Sequence, residues 1–254
     1  MNLTIAANWK MYKTRQETKD FLDKMKAMES DFSSSQVIIC PPFTSLSTAE
    51  ESLRNSTLML GAQNMLWEAE GAFTGEISPM MLKDNGVRYV IIGHSERRWI
   101  MGETNEQINK KLNAAFDYNL TPIFCIGEKE EMRKAGETEK VIMEQMDEGL
   151  KGIDAEKVKN LIIAYEPVWA IGTGLAASAE DAREAADCIQ KKLQEFLGDN
   201  AKKVKILYGG SVKKDNIGDF VALPNIHGAL VGGASLQVDG FSGLIKAAQN
   251  AVQG

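Results

Sequence analysis

Reactive side chains in this chain gather around one carboxylate. Glu166 follows the apolar run Leu161-Ile162-Ile163-Ala164-Tyr165 and precedes Pro167-Val168-Trp169-Ala170-Ile171-Gly172-Thr173-Gly174. Such a run reads as a buried strand, so Glu166 stands where the strand reaches the surface, a suitable place for a general base. Pro167 fixes φ and ends pairing, whereas Gly172 and Gly174 permit unusual dihedrals and leave N–H groups uncovered for an anion. The stretch reads as a lid beside a base. Other reactive residues follow other apolar runs: Asn8 and Lys10, Asn64, His94-Ser95-Glu96, Glu128, Ser211, and Gly232-Gly233. Taken singly, Lys10 reads more readily as a solvated charge, His94 as a hydrogen-bonded turn residue, Ser211 as a helix cap and Gly232-Gly233 as a chain reversal. Together, an acid, one of only two histidines, an ammonium and glycine turns suit acid–base chemistry on an anionic substrate.

What brings them together is the order of the elements. Strand-like apolar runs recur at residues 4–7, 37–40, 58–60, 89–92, 121–126, 161–165, 204–208 and 229–231. Amphipathic helices lie between them. Thr14 with Glu17 forms a capping box before Phe21, Leu22 and Met25, and Ser47 with Glu50 has the same spacing before Leu53. Residues 105–116 carry Ile108, Leu112, Ala115 and Phe116 on one face, and residues 178–197 run to a stop at Gly198. Strands too apolar to face water, alternating with helices, imply a parallel sheet covered by helices. Eight such units in about 250 residues fit an α/β fold of the (β/α)8 TIM-barrel type. A doubly wound open sheet is the second choice. In a barrel the strand C-termini meet at one mouth, which is where the reactive residues fall. No linker, low-complexity tract or repeat divides the sequence, so residues 1–254 read as one domain.

Composition narrows the function. A net charge of −6, without a basic cluster larger than lysine pairs, argues against nucleic-acid binding and requires any anion site to be local. Three cysteines without metal spacing suit reduced thiols in a cytoplasm. With no secretory pattern at the start and no apolar run of about 18 residues, no membrane role is expected. The loop from Met65 to Pro79 holds Leu66, Trp67, Ala69, Ala72 and Phe73. From the sequence alone it packs on its own barrel; the alternative is that it enters a partner's surface.

The segments Asn8-Trp9-Lys10, Gly93-His94-Ser95-Glu96-Arg97-Arg98, Cys125-Ile126-Gly127-Glu128, Ala164 through Gly174, Tyr208-Gly209-Gly210-Ser211-Val212 and Leu230 through Ser235 cover almost every loop of that mouth. Across its length the chain resembles the triosephosphate isomerase family. The resemblance implies interconversion of dihydroxyacetone phosphate and D-glyceraldehyde 3-phosphate through an enediolate, with no metal or organic cofactor. It further implies Glu166 as the base, His94 as a neutral imidazole donor, and Lys10, oriented with Asn8, as the positive charge. Glu96 would pair with a lysine, and backbone at Gly172, Ser211, Gly232 and Gly233 would cradle the phosphate. It also implies a homodimer in which the Met65-to-Pro79 loop inserts beside the partner's Asn8 and the partner's Lys10. Three places depart from the family pattern: Leu175-Ala176-Ala177 lacks the usual polar far hinge of the lid, His227 stands where an acid is usual, and Asn105 stands where an acid often starts a helix.

Other chemistries are weaker fits. Gly172-Thr173-Gly174-Leu175-Ala176-Ala177 matches a dinucleotide fingerprint, but its first glycine lags the strand and the next strand ends in Tyr208 instead of an acid. A Schiff-base aldolase using Lys10 and a catalytically silent scaffold barrel are the remaining alternatives.

Overall fold

Each apolar run forms a strand: β1 (Leu3–Asn8), β2 (Ser35–Cys40), β3 (Met59–Ala62), β4 (Tyr89–Ile92), β5 (Thr121–Ile126), β6 (Ile162–Tyr165), β7 (Lys205–Tyr208) and β8 (Gly228–Val231). The computed structural model describes residues 3–171 and 177–253. Sequential strands pair in parallel, and β1 pairs with β8 from Thr4↔Gly228 to Ala7↔Val231, closing the barrel. Period-two alternation explains why the strands are apolar on both faces. Ala6, Ile38, Ile91, Ile123, Ala164, Leu207 and Leu230 fill the barrel, whereas Ile5, Ile39, Val90, Phe124, Ile163, Ile206 and Val231 belong to the layer shared with the helices.

Among the described residues the surrounding helices are α1 (Arg15–Ala27), α2 (Leu46–Leu53), α3 (Pro79–Asp84), α4 (Ser95–Trp99), α5 (Asn105–Asp117), α6 (Glu130–Lys134), α7 (Thr138–Gly149), α8 (Ala155–Val158), α9 (Ala179–Leu197), α10 (Ile217–Val221) and α11 (Val238–Gln253). Thr14 and Glu17 make the expected reciprocal capping box on α1, and Thr104 with Gln107 and Ser178 with Asp181 do the same for α5 and α9. The Ser47–Glu50 box is not formed. A 3₁₀ turn at Phe43–Ser45 starts the segment earlier, so α2 begins at Leu46 and Ser47 lies inside its first turn. Ser47 instead bonds Asn85 Oδ1, and Glu50 accepts from Arg54.

The loop after β3 divides into a buried base and an exposed tip. Met65 is fully buried, Trp67 and Ile77 pack against the core, and Leu66 N–H donates to Ile77 O at 2.9 Å. Beyond that closure, residues 70–76 are exposed, including Phe73. Among the described residues no helix is long and apolar enough to cross a membrane.

Candidate active site

Glu166 is the first residue past β6, and its backbone is fixed before its side chain is. Its N–H donates to Ile126 O at 2.7 Å, locking it to the end of β5. Gly127 is what allows the approach: a Cβ there would fall 1.7 Å from Glu166 O, at a φ of +159°. The carboxylate is 1 % exposed. Oε2 accepts the Ser95 N–H at 2.8 Å, and Oε1 lies 2.9 Å from His94 Nε2. A buried carboxylate that shares the imidazole proton can be drawn off by a competing acceptor of that proton.

His94 caps α4, and this fixes its tautomer. Its Nδ1 accepts the Glu96 N–H at 3.2 Å, so the ring proton resides on Nε2, facing Glu166. Burial works against an imidazolium here. The charge of Glu166, its hydrogen bond and then the charge of Glu96 outweigh burial and carry the His94 pKa above its ordinary value. The amide on Nδ1 opposes a second ring proton.

Lys10 takes a left-handed conformation, φ 51°, unusual for a residue with a side chain. Two side chains hold it there. Asn8 Oδ1 accepts the Lys10 N–H at 3.0 Å, and Gln63 Nε2 donates to Lys10 O at 2.8 Å and to Cys40 O at 2.9 Å. The ammonium pairs with Glu96 Oε1 at 2.5 Å, the lysine partner expected for that acid. Arg98, buried behind the site, donates to the carbonyls of Gly93 and Cys125 and so ties the ends of β4 and β5. Burial lowers its pKa to about 10.

A cleft of about 340 Å³ at the C-terminal mouth collects Asn8, Lys10, His94, Glu166, Ser211, Gly232 and Gly233, with Ile171 and Leu230 as apolar walls. Among the described residues the backbone N–H groups of Ser211 and Gly233 make no hydrogen bond to protein. Gly172, also expected in the phosphate cradle, lies outside the described residues, as do Thr173, Gly174, Leu175 and Ala176 of the lid.

Of the other strand-end residues, Ser95 and Glu96 touch the site through Glu166 and Lys10, whereas Asn64 and Glu128 turn away from the cleft. Asn64 accepts Lys111 Nζ at 2.8 Å behind it. Glu128, fully buried, accepts from Tyr165 Oη at 3.1 Å and Trp169 Nε1 at 2.9 Å, anchoring the near end of the lid. Burial raises the Glu128 pKa. Asn105, the first residue of α5 after its cap Thr104, bridges Arg98 Nη1 and Glu148. Gln63 was missed, although strand parity points to it. Met59 and Gly61 face inward on β3, so Gln63 continues that row and Asn64 leaves it.

A closed barrel of eight parallel strands, with an acid, an imidazole and an ammonium in one cleft at its C-terminal mouth, defines an enzyme of the (β/α)8-barrel class. The sequence narrows this further. A family profile described as Triosephosphate isomerase matches residues 3–248. The chain is 54% identical over 243 residues to Triosephosphate isomerase of Dictyoglomus turgidum, covering 95% of this chain and 98% of that one. It is also 54% identical to the protein of that name from Dictyoglomus thermophilum, covering 95% and 98%, and 53% identical to that from Carboxydothermus hydrogenoformans, covering 95% and 97%. The chain belongs to the triosephosphate isomerase family.

Proposed function

We propose that the chain is a triose-phosphate isomerase, interconverting dihydroxyacetone phosphate and D-glyceraldehyde 3-phosphate by proton transfer through an enediolate. The observation that best supports this is the sharing of one proton donor, His94 Nε2–H, with the Glu166 carboxylate inside the cleft that also holds Lys10. A substrate carbonyl oxygen bidding for Nε2–H displaces Glu166 toward the adjacent carbon. The C–H bond breaks to Glu166, its electron pair forms the C=C bond, and the carbonyl electrons move onto oxygen. His94 Nε2–H and the Lys10 ammonium face that developing charge. A hydroxyl proton crosses between the two oxygens on the His94 side, and Glu166 returns the carbon proton to the neighbouring carbon. As Glu166 leaves, His94 loses the charge that raises its pKa, and burial then favours the neutral ring. Asn8 positions Lys10, and the N–H groups of Gly172, Ser211 and Gly233, with Gly232 admitting close approach, receive the phosphate. Side chains and backbone amides suffice for each of these steps.

We propose one catalytic domain over residues 1–254, acting in the cytoplasm as a homodimer. Met11, Tyr12, Met80, Met81, Ile100 and Met101 are all more than half exposed, and burying them against a second copy would remove that apolar area from water. The loop from Met65 to Pro79 would cover it in the partner. The three cysteines are free thiols, in keeping with a reducing compartment. A coupled assay with each triose phosphate tests the function: turnover in both directions is expected, and none from folded protein would overturn the reading. Light scattering should give the dimer mass; an active monomer at assay concentration would contradict the assembly.

A further inference from the structure

The opposite end of the barrel carries charge that the isomerase reading does not use. Inward-facing positions at the strand starts are polar there: Thr4 on β1, Gln36 on β2, Tyr89 on β4 and Lys205 on β7. They form one hydrogen-bonded plug. Lys205 Nζ donates to Thr4 Oγ1 at 2.8 Å and Gln36 Oε1 at 3.2 Å, while Gln36 Nε2 donates to Tyr89 Oη at 2.6 Å. Both acceptors of the ammonium are neutral, and no acid among the described residues pairs with it. Burial alone acts on the Lys205 pKa, lowering it. The neighbouring His227 cannot supply a compensating charge, because an imidazole is neutral or cationic; its Nδ1 accepts the Ile206 N–H at 3.1 Å. An ammonium has three protons, and two are used.

Lys205 lines a cavity of about 580 Å³, larger than the cleft at the C-terminal mouth. Lys157, Lys159 and Lys203 also line it. Lys157 and Lys159 are tethered at 2.6 Å to Asp117 and Glu156, but Lys203 is exposed and forms no ion pair among the described residues. Thus two cations without acid partners face a concavity of ligand size whose one described lining acid, Glu156, is already paired with Lys159, in a chain of net charge −6. A half-buried cation with only neutral acceptors is incompletely compensated, and an anion of matching size would complete it.

We propose that this N-terminal end of the barrel is a second anion site, taking a small polyanion of phosphate-ester or polycarboxylate chemistry with Lys205 as its inner contact and Lys203 at its rim. The site is separate from the catalytic cleft, whose phosphate cradle takes the same anions equally in the wild type and in variants of this end, so the difference between their isotherms reports this site. The test titrates the full chain with pyrophosphate and, separately, with citrate by calorimetry, in the wild type, Lys205→Met and Lys203→Met. It adds amine-reactive labelling of the wild type with and without pyrophosphate. Binding of either anion should weaken about tenfold in Lys205→Met and severalfold in Lys203→Met, and should weaken with added salt. Saturating anion should protect Lys203 from labelling, with kcat/KM for the triose phosphates unchanged in both variants. The stronger of the two anions identifies the headgroup chemistry. Because Lys203 is exposed, its variant and the labelling remain decisive if Lys205→Met fails to fold. Identical isotherms in wild type and Lys203→Met for both anions, with unprotected Lys203, would overturn the proposal.

Discussion

Replacing Gln63 with leucine isolates the device that aims the Lys10 ammonium. Leucine is apolar and one methylene shorter, and it deletes the donors to Lys10 O at 2.8 Å and Cys40 O at 2.9 Å. Losing the bond to Cys40 O, which keeps the Trp9 N–H at 3.2 Å, costs roughly 1 kcal/mol, and leaving Lys10 O without a partner costs about 1–3 kcal/mol. Lys10 at φ 51° meanwhile stores about 1–2 kcal/mol of left-handed backbone energy that favours relaxation once the restraint is gone. The sum predicts a loss of about 2–4 kcal/mol in unfolding free energy, comfortably short of unfolding a protein of ordinary stability. The catalytic loss should be disproportionate. A relaxed Lys10 shifts its ammonium by on the order of 1 Å, and a misplacement of that size costs about 10²-fold in rate. Urea unfolding and coupled isomerase kinetics on the same preparation measure both quantities. If Gln63→Leu loses the expected stability yet keeps kcat within threefold of wild type, the bracketing of Lys10 has no bearing on catalysis and the reasoning fails.

Gly209→Ala probes the base from the other side: a Cβ there would lie 2.9 Å from Glu166 Cγ and 3.1 Å from Tyr165 O, so Glu166 must shift, and a rate loss of about 10²-fold is expected in the coupled assay. Wild-type kcat in that variant would mean the observed carboxylate position is not the one that matters. For Glu103, burial works against the charge, but Lys111 and then Arg97 outweigh it and hold the pKa below 4.5. A depressed carboxylate pKa stabilises the fold above the unfolded value and loses that contribution as pH falls through the folded value. Burial lowers the Lys111 pKa in the same pair, but lysine keeps its proton throughout the acid range, so the acid-side slope belongs to Glu103. Glu103→Gln should therefore weaken the protein by about 3 kcal/mol near neutrality, with the gap from wild type narrowing below 4.5 in urea titrations. A gap that stays constant with pH would refute the assignment.

The barrel was legible because its strands are apolar on both faces, a pattern that only a sheet covered by helices requires. Strand edges were less so: β2 begins at Ser35 and β8 at Gly228, where polar or small residues hide a paired backbone. The Ser47–Glu50 spacing misled because a 3₁₀ turn had already begun the helix, which spacing does not encode. At the C-terminal mouth, taking residues after each strand gathered Asn8, Lys10, His94, Glu166, Ser211, Gly232 and Gly233, but also Asn64 and Glu128, which turn away to Lys111 and Trp169. Direction past a strand end depends on parity and the next hydrogen bond. Gln63 and Lys205 escaped for the same reason: each reads as an ordinary polar residue until closure of the barrel turns it inward.

The central claim is that Glu166 moves the carbon proton, and Glu166→Gln tests it most directly. The amide keeps the shape and can still face His94 Nε2, but it has no charge with which to take a proton. With the unfolding midpoint near that of wild type, kcat for either triose phosphate should fall by about 10²- to 10⁴-fold. A folded Glu166→Gln protein that turns over at the wild-type rate would contradict the account.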